Sequence, residues 1–448
     1  MRIRLPEKVK HILDVLTAAG HEAYIVGGCV RDSILGRRPQ DWDITTSAKP
    51  PQVKALFPRT LDTGIRHGTV TVLSGRESFE VTTYRMDGAY EDGRRPVQVT
   101  FTSSLAEDLK RRDFTINAMA YHEKRGLVDD FHGLEDMEKK RIRCVGNAKE
   151  RFTEDALRIL RAIRFSAQLG YEIEADTRAA IEELAAGLLR ISAERIREEL
   201  VKLLVSDHPQ YFRIVYDTGI AAFILPEWEP VMKTEQDCLR RCHTVGEHIL
   251  RSLEEIPGKK DLRLAMLFHD IGKPQTRTTD SEGDTHFYGH SEVGAEMTRA
   301  ILKRLKFDNR TIHMVTKLVR YHDYGDSTEQ DLRSVRRALN RIGEDVFPQI
   351  FAVKKADILA QGLYQRQEKL EKLERFQEIY EGVLWRKDCV SLKSLAVSGK
   401  DLLAFGRRPG KELGETLERL LELVLDHPEC NEREYLLKQA LEGADRRA

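Results

Sequence analysis

The sequence has no excess charge of either sign: 73 Lys and Arg stand against 73 Asp and Glu in 448 residues. That balance excludes a uniformly basic protein that coats nucleic acid, though not a locally basic groove. No segment is strongly polarised either. Residues 1–100 carry 15 basic and 12 acidic groups, 201–300 carry 12 and 16, 301–400 carry 20 and 14, and 401–448 carry 8 and 11. Cysteine is sparse, with six residues placed singly at Cys29, Cys144, Cys238, Cys242, Cys389 and Cys430. Only Cys238 and Cys242 are close, so neither a disulfide framework nor a zinc ribbon is indicated, and reduced thiols in a cytoplasmic protein are expected. Long apolar runs are missing: nothing approaches the roughly 18 residues that span a bilayer. The start, Met1–Arg2–Ile3–Arg4–Leu5–Pro6, has no apolar signal core, so a protein neither exported nor membrane-embedded is expected. At 41% hydrophobic residues the chain is globular but too long for one core, and two to four domains are expected.

What is present changes character along the chain. Glu7–Ala19 reads as an amphipathic helix, and Ala23–Val26, Thr69–Leu73 and Phe79–Thr83 read as short strands. From Arg151 strand signals nearly vanish, and helical patterns follow at Glu154–Gln168, Thr177–Leu189, Ala193–Leu204 and Leu264–Ile271. An α+β head followed by all-α domains is therefore expected. Pro226 and Pro230 punctuate the helical pattern, and the charged, heptad-like Tyr364–Leu384 fits a solvated domain helix better than a coiled coil. The expected parts are a head at 1–140, a helical neck at 141–230, a third domain at 231–365 and a helical tail at 366–448.

Three elements of the head belong together: Gly27–Gly28–Cys29–Val30–Arg31–Asp32, Asp41–Trp42–Asp43, and Glu80 within Phe79–Thr83. Alternate residues of a strand share a face, so Asp41 and Asp43 can present two hard oxygen ligands side by side, a pattern suited to Mg²⁺ and phosphate oxygens. A Gly pair after an apolar strand permits close approach of backbone to a triphosphate, with a helix N-terminus near Val30 and Arg31 aiding the anion. Each element alone is usually a turn or a polar strand end. In this order they resemble the nucleotidyltransferases of the DNA polymerase beta superfamily, and within it the class II tRNA nucleotidyltransferase and bacterial poly(A) polymerase family.

The resemblance runs on through Arg111–Arg112–Asp113–Phe114–Thr115–Ile116–Asn117, Asp130–Phe131–His132–Gly133, Glu154–Asp155–Ala156–Leu157–Arg158 and Ser192–Leu200. It implies that an RNA 3′-hydroxyl attacks the α-phosphate of a nucleoside triphosphate, with Mg²⁺ on Asp41 and Asp43, and with Glu80 as a third carboxylate. It also implies that Arg112 and Asp113 contact sugar and phosphate. On a helix Asp155 and Arg158 lie at i and i+3. A carboxylate accepting from an exocyclic amine, beside a guanidinium donating to an unprotonated ring nitrogen, matches the Watson–Crick edges of C and A but not of U and G. Arg161 and Arg164 continue this as a cationic stripe. The bland alternative for such a pair is a surface salt bridge.

The product is narrowed by two further stretches. Thr83–Pro96, rich in Gly and charge, reads as a mobile loop resembling that of enzymes that add the terminal A, which disfavours a CC-only enzyme. The Gly-Arg-Arg-Phe-type sequence of the poly(A) polymerases is missing after Asp43, where Thr45–Pro51 stands. The tail resembles Gram-positive-type CCA-adding enzymes. CCA addition to tRNA from CTP and ATP is thus the leading expectation, with an A-adding specialist or poly(A) polymerase as the alternative. The basic excess of 301–400 is a candidate for further RNA contact.

Of 14 histidines, an ordered subset lies between 240 and 360: His243, His269–Asp270, His290, His322 and Asp357. An apolar helix ending in His269–Asp270–Ile271–Gly272–Lys273 can deliver two ligand types to one cation, and such a set suits Mn²⁺, Fe²⁺, Ni²⁺ or Zn²⁺. The segment resembles an HD-superfamily phosphohydrolase domain. That implies His243, His269, Asp270 and Asp357 as its core set, with His290 and His322 as additional ligands of a divalent transition metal site. His248 and His286 fit no slot and read as ordinary residues. A phosphohydrolase of 2′,3′-cyclic or 3′-phosphorylated RNA ends is the rival activity, able to coexist with the first. A third reading, an RNA-binding module with decayed sites, is opposed by the intact Asp41, Asp43, His269 and Asp270.

Overall fold

The computed structural model describes residues 2–88, 99–236, 244–325, 330–406 and 408–442. The chain divides into two compact units, Met1–Glu229 and Pro230–Ala448.

Up to Val128 the described residues of the first unit form nine short strands in chain order: β1 (Ala23–Val26), β2 (Ile44–Thr46), β3 (Thr60–Gly64), β4 (Thr69–Ser74), β5 (Glu77–Thr83), β6 (Arg85–Asp87), β7 (Val99–Phe101), β8 (Ala120–His122) and β9 (Gly126–Val128), and a two-residue parallel pair, Arg141–Ile142 with Glu172–Ile173, comes later. Seven of the nine form one mixed sheet in the order β3-β4-β5-β2-β1-β8-β9, while β6 and β7 pair separately. The pairing that matters most is parallel: Ile44, Thr45 and Thr46 of β2 lie opposite Val81, Thr82 and Thr83 of β5. Strand alternation turns Phe79, Val81 and Thr83 inward and leaves Glu80 on the outer face. β1 is buried along its whole length, as a central strand covered on both faces must be. The first helix, Glu7–Ala18, buries Val9, Ile12, Leu13 and Leu16, the i, i+3, i+4, i+7 stripe of an amphipathic helix. Of the glycine- and charge-rich loop, the first part is β6; residues 89–98 lie outside the described residues.

Helices Ala148–Glu154, Leu157–Leu169, Ala175–Leu184 and Ala193–Leu204 follow. The single helix expected over Glu154–Gln168 is two, broken at Asp155–Ala156. The cause is local: Asp155 is extended, with φ −141° and ψ 101°, and its carboxylate accepts from the backbone N–H of Leu157 at 3.0 Å. An Asp in that position competes with helix propagation and starts a new helix instead.

The second unit is helical, with a single short hairpin, Thr278–Thr279 with Thr285–His286, among its described residues. The charged stretch near 364–384 is helix Arg366–Trp385, which buries Leu373, Phe376 and Val383. Phe376 meets Phe347 and Phe351 with ring centroids 5.9 and 5.0 Å apart, so it is a helix of the unit, as its charge pattern indicates. A separate apolar cluster of Leu395, Val397, Leu402, Leu420, Val424 and Leu436 holds the C-terminal helices together. Among the described residues no helix is long and apolar enough to cross a membrane.

Ile25 is fully buried between Ile44 and Tyr121 of the flanking strands. Truncation to Ala removes packing on both sides of the strand that carries the glycine turn, and should cost about 2–5 kcal/mol. A lowered urea midpoint for Ile25→Ala checks this.

Candidate functional site

The carboxylates of the head converge because their strands are neighbours. Asp43 immediately precedes β2, and the N–H of Val26 donates to its carbonyl at 3.0 Å. Glu80 lies one residue before Val81, the partner of Ile44, so the β2–β5 register sets Glu80 beside Asp43. The three carboxylates feel one another. Desolvation raises the Asp43 carboxyl above its ordinary value, Arg112 works against that rise, and the charge of Asp41 adds to it. Glu80 is raised by partial desolvation and by the charges of Asp43 and Asp41. Groups that repel in this way are ready to share a cation.

Gly27 stands at φ 79°, and a Cβ there would lie 3.0 Å from the Arg112 guanidinium, so both conformation and space call for glycine. Helix Gly28–Ile34 starts at once behind it. The Arg112 guanidinium is held by the fully buried Asp108 at 3.6 Å, a carboxylate that also accepts from Arg111 at 2.9 Å and from the Thr45 hydroxyl at 3.0 Å. Those contacts keep Asp108 ionised below the ordinary range despite burial.

The arginines of the cationic stripe are individually neutralised. Arg161 donates to Asp113 from two nitrogens at 2.9 and 2.5 Å. Arg164 pairs with Glu199 at 2.5 Å, Arg158 with Glu154 at 2.6 Å, and Arg31 with Asp32 at 2.8 Å. Arg31 also donates to Asn117 at 2.6 Å, and Asn117 in turn donates to Asp113 at 3.1 Å. Burial alone would raise Asp113, but the attraction and hydrogen bonds of Arg161 and the bond from Asn117 hold its carboxyl well below the usual range. Three of the guanidinium groups share one aromatic ring: Arg31, Arg161 and Arg164 stand 5.0, 5.4 and 4.0 Å from the centroid of Phe165. Asp155 and Arg158 do not pair with each other. Asp155 is held by Arg195 at 2.9 Å, and Arg158 also donates to the carbonyls of Arg151 and Arg111, each at 3.1 Å.

Sequence reasoning alone assigns no role to Phe165, Asn117, Asp108, Arg195 or Glu199. The i, i+4 spacing of Arg161 and Phe165 is the available signal for the first of them. Of the basic excess in 301–400, Arg333 and Arg337 are paired with Asp426, and Arg336 with Asp388.

The second unit gathers the histidines. His269 and Asp270 leave the end of helix Lys260–Phe268 fully buried. A Cβ at Gly272 would lie 2.2 Å from the carbonyl of His290, so glycine is what lets this turn meet the start of helix His290–Arg304. Asp270 divides its oxygens: Oδ2 lies 3.3 and 3.7 Å from Nε2 of His269 and His248, and Oδ1 lies 3.4 and 3.7 Å from Nε2 of His290 and His322. Asp357 Oδ1 closes the first group, 2.8 Å from His248 and 3.6 Å from His269. The expectation of His248 as an ordinary residue is corrected: its Nε2 lies within the cluster, 2.8 Å from Asp357 and 3.3 Å from His269. His243 lies outside the described residues. His286 pairs with Asp280 at 2.8 Å in the hairpin, away from the cluster's contacts.

The donor chemistry fits a divalent transition metal. The Nδ1 atoms of His269, His290 and His322 face the carbonyls of Met266, Phe287 and Val319 at 2.8, 2.9 and 2.7 Å. A carbonyl only accepts, so each Nδ1 carries a proton and Nε2 is the atom each ring turns toward the cluster, where its lone pair is free to bind when the ring is neutral. His290 and His322 then oppose lone pairs at 3.3 Å, an arrangement that needs positive charge between the rings. The carboxylates supply the same demand: burial lowers His269, but Asp270 and Asp357 outweigh it and raise its pKa to about 9. Lys273 donates to Asp270 Oδ2 at 2.5 Å.

A mixed sheet with three converging carboxylates, a glycine turn and an arginine wall defines a nucleotidyltransferase of the polymerase beta type. The Poly A polymerase head domain model matches residues 23–143, the model of the RNA- and SrmB-binding site of polymerase A matches 170–232, and that of tRNA nucleotidyltransferase domain 2 matches 279–440. The chain belongs to the CCA-adding enzyme family: it is 36% identical over 427 residues to the CCA-adding enzyme of Lactobacillus helveticus, spanning 94% of each chain. Identity to the Lactiplantibacillus plantarum CCA-adding enzyme is 49% over 248 residues, which cover 55% of this chain and 60% of that protein. The crystal structure of the Bacillus stearothermophilus CCA-adding enzyme in complex with CTP superposes with a TM-score of 0.74 at 30% identity, covering 98% of both chains.

Arg161→Ala leaves the buried Asp113 without its main partner, and should cost about 3–5 kcal/mol at neutral pH. The sign with pH follows. In the native protein the depressed Asp113 contributes stability above the ordinary aspartate value of about 4 and loses it as pH falls through the folded value. In Arg161→Ala the buried Asp113 loses what holds its carboxyl down, burial raises it, and protonation at pH 4 relieves the unpaired charge, so the deficit against wild type should be larger at pH 7 than at pH 4, as urea unfolding at the two values would read.

Proposed function

We propose that the protein adds C, C and A to the 3′ end of tRNA from CTP and ATP, without a nucleic-acid template, in the cytoplasm. The observation that carries this reading is the convergence of Asp41, Asp43 and Glu80 beside an ordered arginine wall, in a chain of the CCA-adding family. Mg²⁺ held by Asp41 and Asp43 would supply charge neutralisation of the triphosphate and a lowered pKa for the attacking hydroxyl. The chain's own groups do the rest. Gly27 and Gly28 admit the phosphates close to the backbone, Arg112 offers donors to them and to the sugar, and Asp108 holds Arg112 in place. Asp113 fixes Arg161, while Arg195 and Glu154 hold Asp155 and Arg158, the carboxylate that would accept from the exocyclic amine of C or A and the guanidinium that would donate to the ring nitrogen. The four-part organisation, with a tRNA-binding tail at 366–448, belongs to the same reading.

Incubation with tRNA lacking its CCA end, Mg²⁺ and labelled CTP or ATP tests it. Ordered C, C, A addition is expected; addition of A only to a supplied CC end would mark an A-adding specialist, and long A tracts a poly(A) polymerase. Asp43→Ala should abolish incorporation with tRNA binding retained, and retained synthesis would sink the two-aspartate assignment. Asp155→Ala should erode the preference for CTP over UTP by about 10–100-fold, the worth of one bidentate base contact.

A second activity is supported by the lone-pair geometry of the histidine cluster. His248, His269, Asp270 and Asp357, with His290 and His322, would hold one or two divalent transition metals, and metal bound there would supply an activated water against a phosphoester. RNA ends bearing a 2′,3′-cyclic or 3′-phosphate are the substrates this reading favours, since their hydrolysis restores the hydroxyl needed by the head. His248→Ala should lose bound metal, read by elemental analysis, and any phosphatase or cyclic phosphodiesterase activity, while nucleotide addition continues.

A further inference from the structure

We propose that the first turn of helix Arg366–Trp385 completes the histidine cluster, with Gln361 and Lys369 as positioning residues that aim Asp357 at a divalent transition metal. The inference rests on the metal-centre reading of that cluster and extends it to residues outside the ligand set.

Asp357 lies in the last turn of helix Phe347–Ala360, and Gln361 caps that helix. Among the described residues, the oxygen of Asp357 that faces the histidines is Oδ1, 2.8 Å from His248 Nε2. The other, Oδ2, accepts from Nε2 of Gln361 at 2.8 Å. The Gln361 carbonyl oxygen in turn accepts from Lys369 Nζ at 2.6 Å.

The orientation of this amide is dictated by its neighbours. An ammonium can only donate, so the oxygen of Gln361 must face Lys369. Its NH₂ is then committed to Asp357, which as a carboxylate only accepts. The charge of Lys369 polarises the amide and strengthens the donor at the far end, as hydrogen bonds in series do. With Oδ2 tied, rotation of the carboxylate is stopped, and Oδ1 stays aimed at His248 and His269.

The turn that carries Lys369 into position is stitched to the same helix end. Arg366 donates to the carbonyls of Leu359 and Gln361 at 3.0 and 2.7 Å, and Gln365 takes a left-handed φ of 52° to start the new helix. Helix Arg366–Trp385 thus contributes to the cluster although the sequence pattern assigns it to a separate tail. Partners behind a ligand typically set metal affinity by 10–100-fold.

The test is Mn²⁺ affinity of the full-length protein, measured by competition with a fluorescent chelator well below the unfolding temperature. Gln361→Ala should weaken Mn²⁺ binding by about 10–100-fold, and Lys369→Met should weaken it in the same direction. Lys369→Arg, which keeps a donor for the amide oxygen, should bind as wild type. Because the two residues act in series, the Gln361→Ala/Lys369→Met double variant should be no weaker than Gln361→Ala alone. If Gln361→Ala fails to fold, the contrast between Lys369→Met and Lys369→Arg reads the same relay. Wild-type affinity in Gln361→Ala, or equal affinities in Lys369→Met and Lys369→Arg, would overturn the relay and leave the metal centre standing. No Mn²⁺, Fe²⁺, Ni²⁺ or Zn²⁺ bound by the wild type would overturn the centre and the relay together.

Discussion

The parallel pairing of β2 with β5 is the constraint on which the head depends. Antiparallel neighbours such as β3–β4, β4–β5 and β8–β9 follow from short connections, but this parallel pair joins segments more than thirty residues apart and fixes Ile44 opposite Val81. A slip of one residue would turn Glu80 into the core and put Phe79 and Val81 on the outer face. The apolar alternation of β5 therefore does more than fill the core, because it holds the register in which three mutually repelling carboxylates are forced together. That repulsion is a cost borne by the packing of Ile25, Ile44 and Val81, all fully buried.

Around this centre the second layer of structure is made of restraints on charged side chains. Each guanidinium near the cleft has a carboxylate behind it, and Phe165 is the ring that three of them share. The histidine cluster follows the same logic with different chemistry: backbone carbonyls at the ends of three helical turns hold Nδ1, so that Nε2 must point inward. In both places the functional atoms are aimed by groups that do not themselves reach the site.

Much of this is legible in the sequence, and the misses have physical causes. Strands β1, β4 and β5 and helix Glu7–Ala18 can be read almost to their ends because apolar period and burial coincide there. Asp41, Asp43 and Glu80 stand out because three carboxylates spaced in that order behind a glycine turn serve the stability of the sheet poorly and the binding of a cation well. The helix break at Asp155 is hidden, since Leu157, Ile159, Leu160 and Ile163 keep the apolar pattern running, and the cap acts through a side chain that propensity counts only weakly. His248 is hidden for the same kind of reason: it lies inside an amphipathic helix, Val245–Glu255, where a histidine on the apolar face looks like core. Nothing in spacing tells whether such a ring meets Leu or Asp; only the packing of helix Phe347–Ala360 against it, which brings Asp357 to 2.8 Å, decides the matter.

The neutralised arginine wall has a consequence for how the protein holds its small ligands. Arg31, Arg158, Arg161 and Arg164 are matched one for one by Asp32, Glu154, Asp113 and Glu199. A surface of that kind gathers little counterion atmosphere, so little is released when an anion arrives. Recognition along it is then governed by direction and fit, and ionic strength has less purchase on which base is accepted than on how firmly the rest of the RNA is held.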